Sequence, residues 1–373
     1  MNVKYLKSKI DIIEVVEKYT VIYKVGKDCR CKCILHKDSN PSMHIYVDNT
    51  WYCFGCRRGG DVISFVQLVE NINFTEACKL LAQQYNINIS ISGGDYKPYN
   101  IVYPLALDGT WHDYLRRRRI SDTTINQWGL GYDCNTSSIC IPIRNSFGAT
   151  IAHAYRYIGH NNTISKYRNA NGNVYNKSST LFGLDKAKKY IDTSNYCIIV
   201  EGYFDCISLH QAGIRNVVAI CGVALTQQMI DIIKRHTKNV VFCYDNDTAG
   251  INATVDSITK SIGQDFCIKV LEVCDYHDID ELVVGSTPEQ LHKFLCSKIH
   301  WIDFMYKNMP QNIIQCLCSV GDISYMIGCV DRLSEISNVS ADIIFCKMIK
   351  KINKTSRLYS DFVKFIKNGG ING

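Results

Sequence analysis

At 373 residues, 46% of them hydrophobic, the chain is long enough for two or three domains with cores of their own and too apolar for a disordered tail. No run of about 18 apolar residues occurs and the amino terminus leads into no signal-peptide core, so a soluble protein of the cell interior is expected, with no membrane partner. Net charge is +7 but unevenly spread: residues 1–90 sum to +3, 91–190 to +7, 191–285 to −7 and 286–373 to +4, which suits an enzyme that grips a polyanion and acts on it through an acidic centre.

The 19 cysteines do not read as a disulfide framework. Most sit singly in apolar runs, as Cys197, Cys206, Cys221 and Cys243 do, and there they act as small buried hydrophobes in a reducing compartment.

In chain order, Ile10, Ile13, Val16 and Tyr19 recur at helical spacing, which predicts a short amphipathic helix within residues 1–20. Cys33-Ile34-Leu35-His36 and Cys53-Phe54-Gly55-Cys56 follow, two knuckles that each place two ligands on a tight turn. The spacing predicts one structural, tetrahedral Zn²⁺ held by Cys33, His36, Cys53 and Cys56. Cys29 and Cys31 share a strand face with Cys33, so one of them could replace His36. Trp51, Tyr52, Phe54, Arg57 and Arg58 set rings beside cations, as single-strand binders do, although about half of these rings belong in the core of so small a domain.

Phe65 to Tyr85 reads as helix–turn–helix, closing a zinc-binding domain over residues 1–90. Gly93-Gly94 and Pro98 mark residues 91–100 as a flexible linker. Arg116 to Arg119 are four consecutive arginines, either a solvated patch or a phosphate contact. Ile139–Arg144 and Ile151–Tyr157 read as a strand and its return.

Four apolar runs, Tyr196–Val200, Val217–Ile220, Val240–Tyr244 and Cys267–Val273, alternate with helical segments and predict a parallel sheet covered by helices. Carboxylates follow these strands. Glu201 and Asp205 come after the first, Asp245 and Asp247 after the third, and Asp278 and Asp280 after the fourth. Ligands of open α/β sheets bind at the carboxyl ends of the strands. Six acids there would repel one another without divalent cations, and oxygen ligands suit Mg²⁺ or Mn²⁺. Asp247, ahead of Thr248-Ala249-Gly250, also suits a helix N-cap. From residue 288 apolar positions fall at helical spacing, predicting a helical bundle to the end.

The wording of three stretches carries a family likeness. Val200-Glu201-Gly202-Tyr203-Phe204-Asp205, Tyr244-Asp245-Asn246-Asp247-Thr248-Ala249-Gly250 and Asp278-Ile279-Asp280-Glu281 together resemble the TOPRIM metal-binding fold of bacterial primases, topoisomerases and some nucleases. Cys33-Ile34-Leu35-His36-Lys37-Asp38-Ser39-Asn40-Pro41-Ser42-Met43 with Arg58-Gly59-Gly60-Asp61 resembles the zinc ribbon of DnaG-type primases, which favours His36 as ligand. The stretch from Trp111 to Tyr132 resembles the start of the primase polymerase domain, with Arg118 at the family's arginine and Arg119 where glycine is usual. The family's Gly-Thr-Ser/Ala wording is altered at Gly222-Val223-Ala224, which loses a hydroxyl.

The resemblance implies an α/β multidomain chain: a zinc ribbon, an α+β basic half over 101–190, a TOPRIM parallel sheet over 191–285 and a helical subdomain over 286–373. It implies a DNA primase, a nucleotidyltransferase making short RNA primers from ribonucleoside triphosphates on a single-stranded DNA template. Catalysis would fall to Glu201, Asp245 and Asp247, with Asp205, Asp278 and Asp280 as further ligands for two or more Mg²⁺ or Mn²⁺ ions. Arg118, Arg144, Arg156, Lys166 and Lys177 would bind nucleotide and template. The family's other partner is a replicative helicase; neither its docking domain nor a fused helicase phosphate loop is evident, and the Asn/Lys/Ile-rich composition points to a phage protein in a bacterial cytoplasm. A TOPRIM nuclease and a non-catalytic primase remnant that binds single strands or helicase are the rival readings.

Overall fold

The computed structural model describes residues 3–25, 28–91, 94–96, 110–133, 135–146, 148, 150–161, 163–170, 177–222, 224–273, 276 and 278–351. Lys97 and Pro98 of the expected linker, Val223, and the expected helix beyond residue 351 lie outside them. Two compact units form, residues 1–180 and 181–373.

The first unit opens on two short helices, Val3–Ser8 and Ile12–Val16, where one was expected. Asp11 breaks the run by capping the second helix, its carboxylate accepting from Ile13 N–H at 2.8 Å. Asn49, in the left-handed region at φ 67°, fills the break from across the sheet. Its side chain accepts from Ile12 N–H and donates to the Ile10 carbonyl, both at 2.7 Å, so the interrupted backbone groups stay paired.

A five-stranded antiparallel meander follows: Ile22–Val25, Asp28–Cys31, Met43–Ile45, Thr50–Cys53 and Gly59–Asp61. Alternation buries Cys29, Cys31, Met43, Ile45, Trp51 and Cys53 on one face. Helices Val62–Glu70 and Phe74–Gln84 cover that face, the first capped by Asp61 and the second by a capping box of Asn73 and Glu76. Trp51 meets Phe65 edge-on at 5.6 Å. Burying each such ring stabilises the small unit by about 1.5–3 kcal/mol. Where the linker was expected, Ile89–Ile91 pairs with Gly94–Tyr96 as a hairpin.

After helices Thr110–Arg117 and Asp122–Trp128, a second antiparallel sheet has the order Tyr167–Ala170, Thr150–Tyr157, Ser138–Arg144, Gly131–Asp133. Among the described residues, the ribbon meets this sheet and the turn beyond its Ser138–Arg144 strand through two side chains. Gln83 Nε2 donates to the Thr150 carbonyl at 2.7 Å, and Glu70 accepts from the hydroxyls of both Tyr19 and Ser146.

The second unit is built on the expected parallel sheet, ordered Val217–Ala219, Cys197–Val200, Asn239–Phe242, Cys267–Val270, with Ile299–His300 added antiparallel at the edge. Cys197–Val200 is buried along its whole length, as a central strand between helical layers must be. The unit begins before the 190/191 border read from the sequence. Phe182 bridges Ala219, and helix Leu184–Ser194 sinks Leu184, Ala187 and Ile191 into the core. Helices Trp301–Asn308, Ile323–Ser337 and Ala341–Ile349 extend the same core.

Candidate metal centres and phosphate-binding residues

The two knuckles meet at the end of the ribbon sheet. One ligand atom from each of Cys33, His36, Cys53 and Cys56 lies within 4.8 Å of all the others. Cys33 Sγ and Cys56 Sγ are 3.9 Å apart. A tetrahedral ion with bonds of about 2.3 Å sets its sulfurs about 3.8 Å apart, so the group fits Zn²⁺. Burial pushes the Cys33 thiol up. It pushes Cys53 up as well, but hydrogen bonds from the Ser42 hydroxyl, the Cys56 N–H and the neighbouring thiols outweigh it and bring Cys53 below its ordinary value. Gly55 is required by close approach: a Cβ there would stand 2.6 Å from His36 Nε2. Cys29 and Cys31 face the ribbon core and are not part of the four-residue group.

The acids stand along the carboxyl edge of the parallel sheet. Glu201 follows the strand Cys197–Val200 and accepts from the Asp245 N–H, beyond the neighbouring strand, at 3.2 Å. Asp205 is buried on the first turn of helix Tyr203–Gln211 and accepts from Gly202 N–H at 2.8 Å. Asp247 caps helix Thr248–Ile262 through Gly250 N–H at 2.7 Å, the structural role its context suggested. Asp278 caps helix Ile279–Gly285 through Glu281 N–H at 2.8 Å. Asp280 is buried and bonded to the Ser208 hydroxyl.

Mutual repulsion marks the set. Burial first, then the charges of Asp245 and Asp247, push Glu201 up to about 7. Burial, then Asp245 and Asp278, push Asp205 up to about 8. Carboxylates held at that penalty are a donor set that a divalent cation would relieve. Their spacing is open: among the described residues, only the cysteine–histidine group draws three or more donor atoms within 4.8 Å. Such spacing suits an ion that keeps several waters.

In the basic half of the first unit, Tyr114 gathers two of the expected arginines. Its hydroxyl accepts from Arg118 Nε at 2.8 Å and Arg156 Nε at 3.1 Å. Arg156 also lies over the Tyr167 ring at 4.9 Å, opposite it in the sheet register. Arg119 takes φ 52°, so the left-handed turn is kept without the usual glycine.

Arg144 is not brought to this pair. Strand alternation puts it on the other face of the hairpin, toward the opposite end, where burial and then the Arg144 charge hold His153 down at about 4. Lys166 is exposed before the edge strand, and Lys177 opens the turn Lys177–Ser179. Sequence reasoning missed Tyr114, although a Tyr four residues ahead of an Arg on a helix shares its face.

Residues 1–97 match the CHC2 zinc finger family and residues 198–283 the Toprim-like family. DNA primase of Thermotoga maritima is 31% identical over 348 residues, 79% of this chain and 60% of that protein. DNA primase of Aquifex aeolicus is 28% identical, over 84% of this chain and 72% of that protein. The crystal structure of the Aquifex aeolicus primase zinc-binding and RNA polymerase domains is 26% identical with a TM-score of 0.58, covering 92% of this chain and 98% of that one. The chain thus carries a CHC2 zinc finger and a Toprim-like domain on either side of a basic antiparallel sheet, and over most of its length it is similar to bacterial DNA primases.

Proposed function

We propose that the chain is a DNA primase, joining ribonucleoside triphosphates into short RNA primers on a single-stranded DNA template. The observation that carries this is the carboxyl edge of the parallel sheet, where Glu201 and Asp245 are hydrogen-bonded neighbours and Asp205, Asp247, Asp278 and Asp280 stand on the adjoining turns.

In this reading Asp245 and Asp247, with Asp205, Asp278 and Asp280 in support, would hold Mg²⁺ or Mn²⁺, which would supply charge neutralisation for the triphosphate and a lowered pKa for the primer 3′-hydroxyl. Glu201, poised near neutrality, can take up a proton there as general base or join the ligands. Arg118 and Arg156, already paired on Tyr114, present forks to phosphate, while Arg144, Lys166 and Lys177 hold nucleotide or template elsewhere on the basic half. Residues 1–90 carry a structural zinc and contact the template, with 91–100 joining them to the basic half at 101–190. Residues 191–285 hold the catalytic metals, and 286–373 complete the core. A replicative helicase is the expected partner of such an enzyme.

The test is to incubate the purified protein with single-stranded DNA of mixed sequence, Mg²⁺ or Mn²⁺ and labelled ribonucleotides. Short RNA is expected from the unchanged chain and none from Asp245→Ala, whose zinc content and fold stay intact. Synthesis by that variant would sink the assignment, and template-independent cutting of the DNA would replace it with a nuclease.

A further inference from the structure

Outside the four knuckle residues, one carboxylate reaches both knuckles. Asp38 Oδ2 accepts from the Cys33 N–H at 2.8 Å and from the Ser42 N–H and hydroxyl at 3.2 and 2.6 Å. The same Ser42 hydroxyl lies 3.3 Å from Cys53 Sγ, and the Ser42 carbonyl accepts from Phe54 N–H at 2.9 Å. Asp38 Oδ1 is 3.8 Å from His36 Nε2, while His36 Nδ1 is 3.9 Å from Cys53 Sγ. Nδ1 thus faces Cys53 Sγ, while Nε2 lies within ion-pair range of the carboxylate and beyond hydrogen-bond reach.

We propose that Asp38 is the positioning residue of this metal centre: it holds His36 in the tautomer that offers Nδ1 to the ion and, through Ser42, locks the Cys33 knuckle to the Cys53 knuckle. The inference rests on the Cys33, His36, Cys53 and Cys56 zinc assignment. The physical reason is general. A ligating histidine whose other nitrogen faces a carboxylate is fixed in orientation and made more basic, and loss of such a partner weakens metal binding about 10–100-fold. Here one side chain also ties the Cys33 knuckle to Ser42, whose hydroxyl meets Cys53, in addition to the pairing of Met43 with Cys53 in the sheet.

Zinc affinity, measured on the full chain by competition with a chelator, tests this. Zinc content of the unchanged chain comes first; absence of zinc would overturn the assignment and the inference together. With one zinc bound, Asp38→Ala is expected to weaken binding about 10–100-fold and Ser42→Ala less. Asp38→Asn, similar in shape and still able to accept from the Cys33 N–H, is expected to fall between. Each variant is compared at saturating zinc, where its circular dichroism should match the parent. The histidine supplies a readout that a merely structural role would not move: in ¹⁵N spectra of the zinc-loaded parent, His36 should be metallated at Nδ1 and protonated at Nε2. Metallation at Nε2, or Asp38→Ala and Asp38→Asn that hold zinc within twofold of the parent, would overturn the proposal.

Discussion

The main-chain N–H of Asp245 donates to Glu201 Oε1 across 3.2 Å, tying the turn after one strand to the turn after its neighbour. That bond needs an acceptor at residue 201 but no charge. Glu201→Gln should keep the turn in place and lower primer synthesis by about 10²-fold or more. Its Tm in chelator should hold or rise, because a neutral amide replaces a half-buried acid beside Asp245. Primer yield and melting, read on the same preparation, check it; near-normal synthesis would exclude Glu201 from the chemistry.

Asp205 sets a pH dependence. Its carboxyl rises from 3.8 to about 8 on folding. Between those values the folded chain keeps a proton that the unfolded chain has released, so its contribution to stability falls as pH rises across that window. In chelator, the Tm difference between the parent and Asp205→Asn should grow in favour of the variant from pH 5 to pH 8. Mg²⁺ added at pH 8 should raise the parent more than the variant. A difference that does not change with pH would contradict the assigned environment.

Tyr114 makes a narrower claim. Phenylalanine keeps the ring but removes the oxygen shared by Arg118 and Arg156. Hydrogen bonds to charged groups contribute about 1.5–3 kcal/mol, so Tyr114→Phe should raise KM for nucleotide or template by about 10- to 150-fold. The kcat should change little, since no acid at the sheet edge is touched. Steady-state kinetics separate the two, and a fall in kcat alone would contradict a positioning role.

Gly250 is fixed by close approach. A Cβ there would stand 2.1 Å from the Asp245 carbonyl oxygen, a main-chain atom that cannot rotate away. Helix propensity alone would favour alanine by about 1 kcal/mol. Overpacking of this kind costs typically about 1–3 kcal/mol, so Gly250→Ala should lower stability and displace the Asp245–Asp247 turn. Denaturant unfolding reads the first effect, and loss of primer synthesis at saturating Mg²⁺ the second.

The parallel sheet was legible because its central strands are apolar on both faces and end in acids, a pattern visible without neighbours. Cys267–Val270 was harder to delimit, since it alternates exposed and buried positions and the predicted run extended to Val273. Ile299–His300 was missed because two residues cannot display a period. The break between the first two helices depends on Asn49, 37 residues from Ile12, and no local spacing reveals such a partner. Knuckle spacing gave Cys33, Cys53 and Cys56, with His36 preferred over Cys29 or Cys31 only by likeness to the zinc ribbon, and Asp38 and Ser42 show their part only once the hairpin brings Cys53 beside them. Arg144, Arg156, Lys166 and Lys177 were read by order along the chain. Order does not encode the face of a strand, and Arg144 and Arg156 therefore separate.

The Gln83 amide meets the Thr150 carbonyl where the register of the Ser138–Tyr157 hairpin shifts, between Thr150 and Ala152. An irregular step in a ladder leaves main-chain groups there without a strand partner. The ribbon's last long helix binds the carbonyl at the edge of that step. Together with Glu70, which accepts from the Ser146 hydroxyl, this bond fastens the ribbon's helices beside the irregular step. A change of register in that hairpin would therefore be felt in the ribbon's helices, and a shift of those helices in the hairpin.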